Sequence, residues 1–581
     1  MLRGPESRLR LVAVFLIAAL IVIVLQLARL QILERDRIRG EVEALVSRPY
    51  QLPEPPDGVI VDRNGDLLVG NMPTYDVGAE IRLITYTVTT TQHAANTLAP
   101  LLDMDVSLLE EQLTISPGDA DADNAIIWRP LARGIGGPAT ETLEELQEDW
   151  YWLTLQPGWK RYYAEGTLAS HTLGFVNDDG NGYGLEAFQL RFLQPKPAMA
   201  KGEVDAYTNP LGRELASRQL RAYPGTDIRL TLDRTIQAYV EGELDKALVE
   251  YGAEGGTILV MDPRTGAVLA SASRPHYRPY DFVAQAKEDD EIFVDPAVSV
   301  AYEPGSVFKV FTVAAALASG TVDANWSYYD AGHIEVGGVV IRNSDRQAHG
   351  QQNLQGVIAD SLNVGVATLA TQMGGETFYQ YVRLFGFGRT TGIGLTGEAP
   401  GLVHMPTDWD WTDSFLGTNA FGQGIAVTPI QMATAVSALA NHGRMMAPHI
   451  VAERRYPDGR IVTTPVRELE QPVDAATADY VVALMENAVE RTITNAQVPG
   501  YRVAGKTGTA QIPVSGGYDP SEVITSFVGF GPLPDPELLV LVKLVRPQVP
   551  LHLRWGTQTA APLFQRVASR LFVLLGIPPS G

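Results

Sequence analysis

Residues 302–318 read YEPGSVFKVFTVAAALA, a break followed by an apolar run. Pro304 and Gly305 interrupt whatever precedes them, and Val310 to Ala318 predicts a helix too apolar to lie on a surface. Ser306 stands in its first turn and Lys309 three residues on, so the two side chains share one helical face. A lysine among Val307, Phe308, Val310 and Phe311 is poorly hydrated, which favours its neutral, proton-accepting form. A neutral amine beside a hydroxyl is a base beside a nucleophile. The unpaired N–H groups of a helix start would suit an oxyanion forming on the serine's target. A plainer reading fits the same letters: Ser306 caps the helix and Lys309 reaches out to water.

The 581 residues are 45% hydrophobic and 19% charged, globular proportions with room for two or more domains. A formal charge of −22, with no Lys/Arg cluster beyond the first 40 residues, argues against a nucleic-acid partner. The absence of cysteine excludes disulfides, thiolate zinc sites and a cysteine nucleophile. The nine histidines include no HExxH pair and are read as surface or structural residues. No metal and no cofactor is expected.

From Leu11 to Leu25 there is no polar residue, and the apolar span extends from Leu9 to Ala28 around Arg10 and Gln26. About 20 residues of helix cross a bilayer's hydrocarbon. A cleaved signal peptide is the rival, but its apolar region is shorter and ends in a small-residue site that is missing here, so an uncleaved anchor is expected. Arginines stand on both sides (Arg3, Arg8 and Arg10 before; Arg29, Arg35, Arg37 and Arg39 after), so charge does not orient it.

Residues 29–50 continue with helical periodicity and mixed charge, then enter the proline-rich linker PYQLPEPPDG. GVIVDRNGDLLVGN follows with the alternation of a β-hairpin. Its Asp62, Asn64 and Asp66 resemble a calcium loop, but Leu67 occupies the position that needs glycine and no glutamate closes the pattern, so a turn is expected. Residues 80–225 alternate helical stretches (Thr91 to Leu102, Thr140 to Trp150) with loops, and nothing in them looks catalytic. From residue 226 a short strand, an amphipathic helix and the hairpin GGTILVMDPRTGAVLASAS open a second domain. The last helix is AAPLFQRVASRLFVLLG, and no internal repeat is evident.

Two further motifs follow the serine helix. DSLNVGVA supplies Ser361 and Asn363, and GKTGTAQ supplies Lys506, Thr507, Gly508 and Thr509. S-x-x-K, S-x-N and K-T-G in that order are the set of penicillin-binding proteins and β-lactamases. RLQ (29–31), IVDRNG (60–65), ASHTLGFV (169–176), GYGLE (182–186), FGQGIAVTPIQMA (421–433) and AAPLF (560–564) extend the resemblance over most of the chain. Together they resemble class B penicillin-binding proteins, single-pass extracytoplasmic D,D-transpeptidases of peptidoglycan synthesis that β-lactams acylate and inhibit. One departure is visible: where the family has Arg-Gly ahead of this IxDRNG stretch, Asp57 precedes Gly58, which puts in doubt any salt bridge carried over to that position.

The resemblance implies an α+β protein: cytoplasmic tail 1–8, anchor 9–28, juxtamembrane helix and linker 29–50, pedestal of the dimerisation type 51–225, and transpeptidase domain 226–581 with an antiparallel sheet flanked by helices. It implies that Ser306 attacks the penultimate D-Ala carbonyl of a stem peptide and holds the donor as an ester. Lys309 takes its proton, Ser361 relays that proton to the leaving amine, and Asn363 holds Lys309 and the donor amide. Lys506 keeps the site positive for the terminal carboxylate, which Thr507 and Thr509 hydrogen-bond, and Gly508 lets the strand approach the substrate. The N–H groups of Ser306 and Thr509 form the oxyanion hole, and an acceptor amine resolves the ester. With no glycan-polymerising domain in view, a separate multi-span membrane polymerase packed on Leu9 to Ala28, within a larger cell-wall complex, is the expected partner. Division and elongation roles are not separated, although the acidic EPG before Ser306 leans towards division.

Other classes fit parts of the chain. GYRVAGKT (500–507) matches a nucleotide-binding phosphate loop, but the segment after it carries Gly508, Pro513, Gly516 and Gly517 and does not make the required helix. A β-lactam sensor or hydrolase shares the motifs without so large a pedestal, and an idle scaffold would be expected to lose a motif residue. Asn363 as a turn former, Thr507 as a strand former, and Trp409 and Trp411 as packing residues stay open at this level.

Overall fold

The computed structural model describes residues 5–29, 55–84, 90–115, 128–177, 179–196, 223–514 and 517–580. Two units are distinguished: Met1–Glu54 with Lys196–Tyr223, and Pro55–Pro195 with Pro224–Gly581. In the first, the apolar amino-terminal run forms one helix, α1 (Pro5–Ala28). The side chains of residues 5–11 and 27 fall outside the described set, and among the described residues no helix is long and apolar enough to cross a membrane. The juxtamembrane stretch expected over 29–50 lies, past residue 29, outside the described residues.

In the second unit the hairpin read from GVIVDRNGDLLVGN forms, with β1 (Ile60–Val61) pairing with β2 (Leu67–Glu80). Asp62 Oδ1 accepts the N–H groups of Asn64 (2.7 Å) and Asp66 (2.9 Å), and its Oδ2 accepts that of Arg234 (3.1 Å). A carboxylate saturated by backbone donors makes a turn here. Helices α2 (Thr91–Leu102) and α3 (Ala139–Asp149) lie where periodicity puts them, and they bury Leu98, Leu102 and Leu143 in a core that also holds Trp152. Strands β3 (Trp128–Ile135) and β4 (Leu153–Tyr163) both pair antiparallel with β2.

This sheet does not stop at residue 225. Strand β5 (Asp227–Leu230) pairs parallel with β1 on one side and antiparallel with Val451–Arg455 on the other, and Ile461–Thr463 completes seven strands. At the same junction Arg161 of β4 donates to the Gly58 carbonyl (2.9 Å) and to Asn71 Oδ1 (3.0 Å) and pairs with Glu186 of the GYGLE segment at 2.5 Å. Asp57 leaves no arginine before Gly58, and the guanidinium that meets the Gly58 carbonyl comes from β4.

Helix α4 (Arg234–Tyr251) starts on Asp233, whose carboxylate caps Thr235 and Ile236, and stops at Gly252, where φ of +60° suits glycine. The second sheet follows from the expected hairpin, β6 (Gly255–Met261) and β7 (Val268–Arg274). Helices α5 (Lys309–Ala318), α6 (Asn363–Met373) and α7 (Pro429–Ala440) intervene before its remaining strands. These are β8 (Ala504–Val514), β9 (Gly517–Gly531) and β10 (Leu538–Val545), giving an all-antiparallel order β8-β9-β10-β6-β7. The last helix, α8 (Ala560–Leu574), covers one face with α4, its Phe564 ring 4.6 Å from that of Phe527. The segment leading into α5 and the wholly buried α7 cover the other. The architecture is therefore α+β, a sheet flanked by helices.

Candidate active site

The turn that carries Ser306 is tighter than a helical first turn: Gly305–Phe308 is a 3₁₀ turn, and α5 proper begins at Lys309. In such a turn side chains three apart eclipse one another, which sharpens the alignment of Ser306 with Lys309. Gly305 has φ of +55°, and a Cβ there would stand 3.0 Å from the Thr509 carbonyl. The Ser306 turn therefore rests directly on strand β8, bringing the backbones of Ser306 and Thr509 together. Lys309 is wholly buried, which removes the reading in which it reaches water.

The lysine's amine donates to the Ser361 carbonyl and, at 3.0 Å, to Ser361 Oγ. Lys506, 1% exposed, donates to the same hydroxyl at 3.1 Å. Two lysines from distant segments thus converge on one serine oxygen. Burial, and after it the neighbouring Lys506 charge, hold Lys309 well below the usual lysine value. Burial pushes Lys506 down to about 7. Ser361 itself has φ of +57°, a left-handed conformation that costs a non-glycine residue about 1 kcal/mol or more and collects at working sites.

Strand β8 is an edge strand, and its side chains alternate. Lys506 and Gly508 are buried on one face, whereas Thr507 and Thr509 are half-exposed on the other. Thr509 Oγ1 accepts the Gly556 N–H at 3.0 Å, which leaves its own proton to donate outward. Gly508 serves a close approach within the protein as well. A Cβ there would meet Ser526 Oγ at 2.4 Å and the Pro304 carbonyl at 2.7 Å, so its bareness lets β8 lie against the nucleophile's turn. Asn363 opens α6, and its Nδ2 donates to the Arg342 carbonyl at 2.9 Å; no hydrogen bond joins it to Lys309 among the described residues. Trp411 Nε1 reaches Tyr379 Oη at 3.2 Å as a packing residue, while Trp409 is 96% exposed.

Sequence reasoning missed a third buried lysine. Register places Gly508 opposite Ser526, Ser526 opposite Lys543, Lys543 opposite Thr257 and Thr257 opposite Ser273. The result is a polar row across the sheet beneath the K-T-G strand. Lys543 Nζ lies 5.0 Å from the Tyr302 ring centroid, and burial pushes it down to about 8 against the opposing pull of Asp295. Asp295 is buried too, with Oδ1 accepting the Ala297 N–H at 2.9 Å, and burial raises its carboxyl. A lone lysine in LLVLVKLV was the available signal. Glu303 Oε1 accepts from the Gly424 N–H (3.0 Å) and Tyr518 Oη (3.1 Å), tying the turn to the 421–424 loop and to β9.

A hydroxyl on a turn, a second hydroxyl gripped by two desolvated lysines, and an edge strand presenting threonines define a serine acyl-transfer site of the penicillin-binding type. The comparisons agree. Residues 256–569 match the penicillin-binding protein transpeptidase domain, and residues 53–230 the penicillin-binding protein dimerisation domain. Stage V sporulation protein D of Bacillus subtilis is 32% identical over 592 aligned residues, covering 99% of this chain and 86% of that one. The probable peptidoglycan D,D-transpeptidase PenA of Neisseria meningitidis is 29% identical, covering 90% and 85%. The crystal structure of penicillin-binding protein 3 of Mycobacterium tuberculosis complexed with aztreonam aligns with a TM-score of 0.68 at 26% identity, over 91% of this chain and 98% of that one. The chain belongs to the class B penicillin-binding proteins.

Proposed function

We propose that the protein is a serine D,D-transpeptidase that cross-links peptidoglycan stem peptides through an ester on Ser306 and is acylated and inhibited by β-lactams. The observation that carries this is the double grip of Lys309 and Lys506 on Ser361 beside the Ser306 turn. Ser306 Oγ attacks the penultimate D-Ala carbonyl and gives its proton to neutral Lys309, and the Lys309, Ser361 and Lys506 chain passes a proton to the leaving D-Ala amine. The backbone N–H groups of Ser306 and Thr509 receive the oxyanion. The donor lies along the open edge of β8, where Thr507, Thr509 and the charged fraction of Lys506 take its terminal carboxylate. Asn363 fits this scheme as an amide poised at the cleft, with the Arg342 carbonyl as its resting partner. An acceptor amine from a second stem peptide then displaces Ser306.

The wider organisation is part of the same reading: tail 1–8, anchor 9–28, juxtamembrane segment 29–50, pedestal 51–225 and transpeptidase 226–581. The unbroken apolar run from Leu11 to Leu25 in the sequence supports a single-pass anchor, and the family resemblance supports a catalytic part outside the plasma membrane with a multi-span polymerase beside the anchor. Penicillin treatment of the full-length chain followed by peptide mass spectrometry is the test. One covalent adduct on Ser306, absent from Ser306→Ala, is expected; an adduct elsewhere or rapid turnover of the penicillin refutes the assignment. Labelling of intact cells by a membrane-impermeant penicillin checks the orientation, and failure to label sinks it.

A further inference from the structure

A cavity of about 380 Å³ opens beside α7, apart from the cleft. Its floor is apolar, with Phe385, Met445 and Leu469, and its rim carries the guanidinium groups of Arg389 and Arg467. Lys309 and Phe311 are two residues apart on α5 and so project to nearly opposite sides of the helix. Phe385 packs on Phe311 at 4.8 Å between ring centroids, which puts this cavity behind α5 relative to Ser361.

Its wall is built rather than draped. The loop at 389–392 is clamped by Glu398, which accepts Thr391 N–H and Oγ1–H and the Gly392 N–H. Gln431 Nε2 pins the same loop through the Arg389 carbonyl and ties it to the Pro400 carbonyl, at 2.7 Å each. Thr434, 3% exposed, lines the cavity and its Oγ1 has no hydrogen-bond partner among the described residues. A helical threonine ordinarily bonds the carbonyl a turn back, so an idle buried hydroxyl at a cavity wall is a group waiting for a partner. The rim charges do not cancel. Arg389 lies 3.7 Å from Glu470, whereas Arg467 makes no ion pair among the described residues, leaving one positive charge over.

We propose that this cavity is a second ligand site, taking a small monoanionic carboxylate with an apolar body. The carboxylate lies between Arg467 and Arg389, whose planar forks match its two oxygens. The apolar body enters over Phe385, Met445 and Leu469, and a polar atom meets the Thr434 hydroxyl. One net positive charge favours a monoanion over a dianion such as phosphate. The volume suits a ligand of the size of phenylacetate or somewhat larger.

The test uses the full-length protein with Ser306 first blocked by penicillin, so that the cleft's own affinity for carboxylates plays no part. Ligand-observed NMR then follows phenylacetate, its neutral counterpart phenylacetamide, and inorganic phosphate as competitor. Saturable phenylacetate binding in the millimolar range is expected, weaker by about tenfold for phenylacetamide and in Arg467→Ala. Weakening in Thr434→Val and no displacement by phosphate at equal concentration are expected as well. Arg467→Ala is an exposed change away from the cleft, and its retained penicillin labelling shows that it is folded. Absence of saturable binding, equal binding of phenylacetamide, or unchanged binding in Arg467→Ala overturns the site; displacement by phosphate overturns its ligand class.

Discussion

Replacing Lys506 with methionine should abolish acylation yet make the protein more stable at neutral pH. Lys506 titrates near 10.5 in an unfolded chain and at about 7 when folded, and the cause is burial. Each pH unit between those values is worth about 1.4 kcal/mol, so keeping this amine in the interior costs on the order of 5 kcal/mol at pH 7. Between pH 7 and 10.5 the unfolded chain holds the extra proton, so this group's contribution to stability rises with pH across that window and is flat below it. Methionine keeps the length and apolar stem and loses the hydrogen bond to Ser361, worth about 1 kcal/mol, with two long ones to the Thr507 carbonyl (3.4 Å) and Oγ1 (3.5 Å) worth less. A net gain of about 1–4 kcal/mol at pH 7, shrinking to nothing by pH 10, is expected for Lys506→Met. Urea unfolding of the full-length protein in detergent at pH 6, 7.5 and 9, run beside labelling with a fluorescent penicillin, measures both quantities. A Lys506→Met protein less stable than its parent at pH 7, or a stability difference that does not change with pH, refutes the reasoning.

Three more outcomes follow from the same geometry. Lys309→Arg puts a fixed charge where a neutral base is needed, so the penicillin acylation rate should fall by about 10²-fold or more, whereas the parent should acylate well below pH 10, losing rate on the acid side as Lys309 protonates and on the alkaline side as Lys506 loses its charge. Gly508→Ala drives a methyl group into the Pro304 carbonyl and Ser526 Oγ, and should cost about 1–3 kcal/mol in urea unfolding while slowing acylation of the molecules that fold. Arg161→Met strands the buried Glu186 carboxylate and should cost about 3–5 kcal/mol, with acylation per folded molecule unchanged; a stable variant would show that the pair is incidental.

What was legible in the chain was chemistry with a local signature. The Ser306 and Lys309 spacing, the apolar run around it, the hairpin from residue 255 and the turn at Asp62 all depend on neighbours within a few residues, and all formed. The pedestal helices were readable for the same reason. What escaped depends on partners far along the chain. The left-handed Ser361 stands where two lysines from distant segments meet, and nothing in DSLNV announces it. The packing of Gly508 against Pro304 was out of sight because the two are some two hundred residues apart. Lys543 in an apolar strand reads equally well as an edge residue until register places it over Tyr302. Arg161 shows the converse: the departure at Asp57 was visible, but the guanidinium that β4 brings to Gly58 is a fact of pairing alone.

The strand at residues 227–230 also limits how this protein can be taken apart. Inserted between Ile60 and the 451–455 strand, it stitches the two halves into one fabric. A fragment begun at residue 226 would bare a row of unmated amides and carbonyls, a template for clumping with its own kind. Chimaeras that graft a foreign pedestal at that seam inherit the same wound, whereas a splice after Leu230 that carries the donor's own counterpart of the 451–455 strand leaves every selvedge sewn.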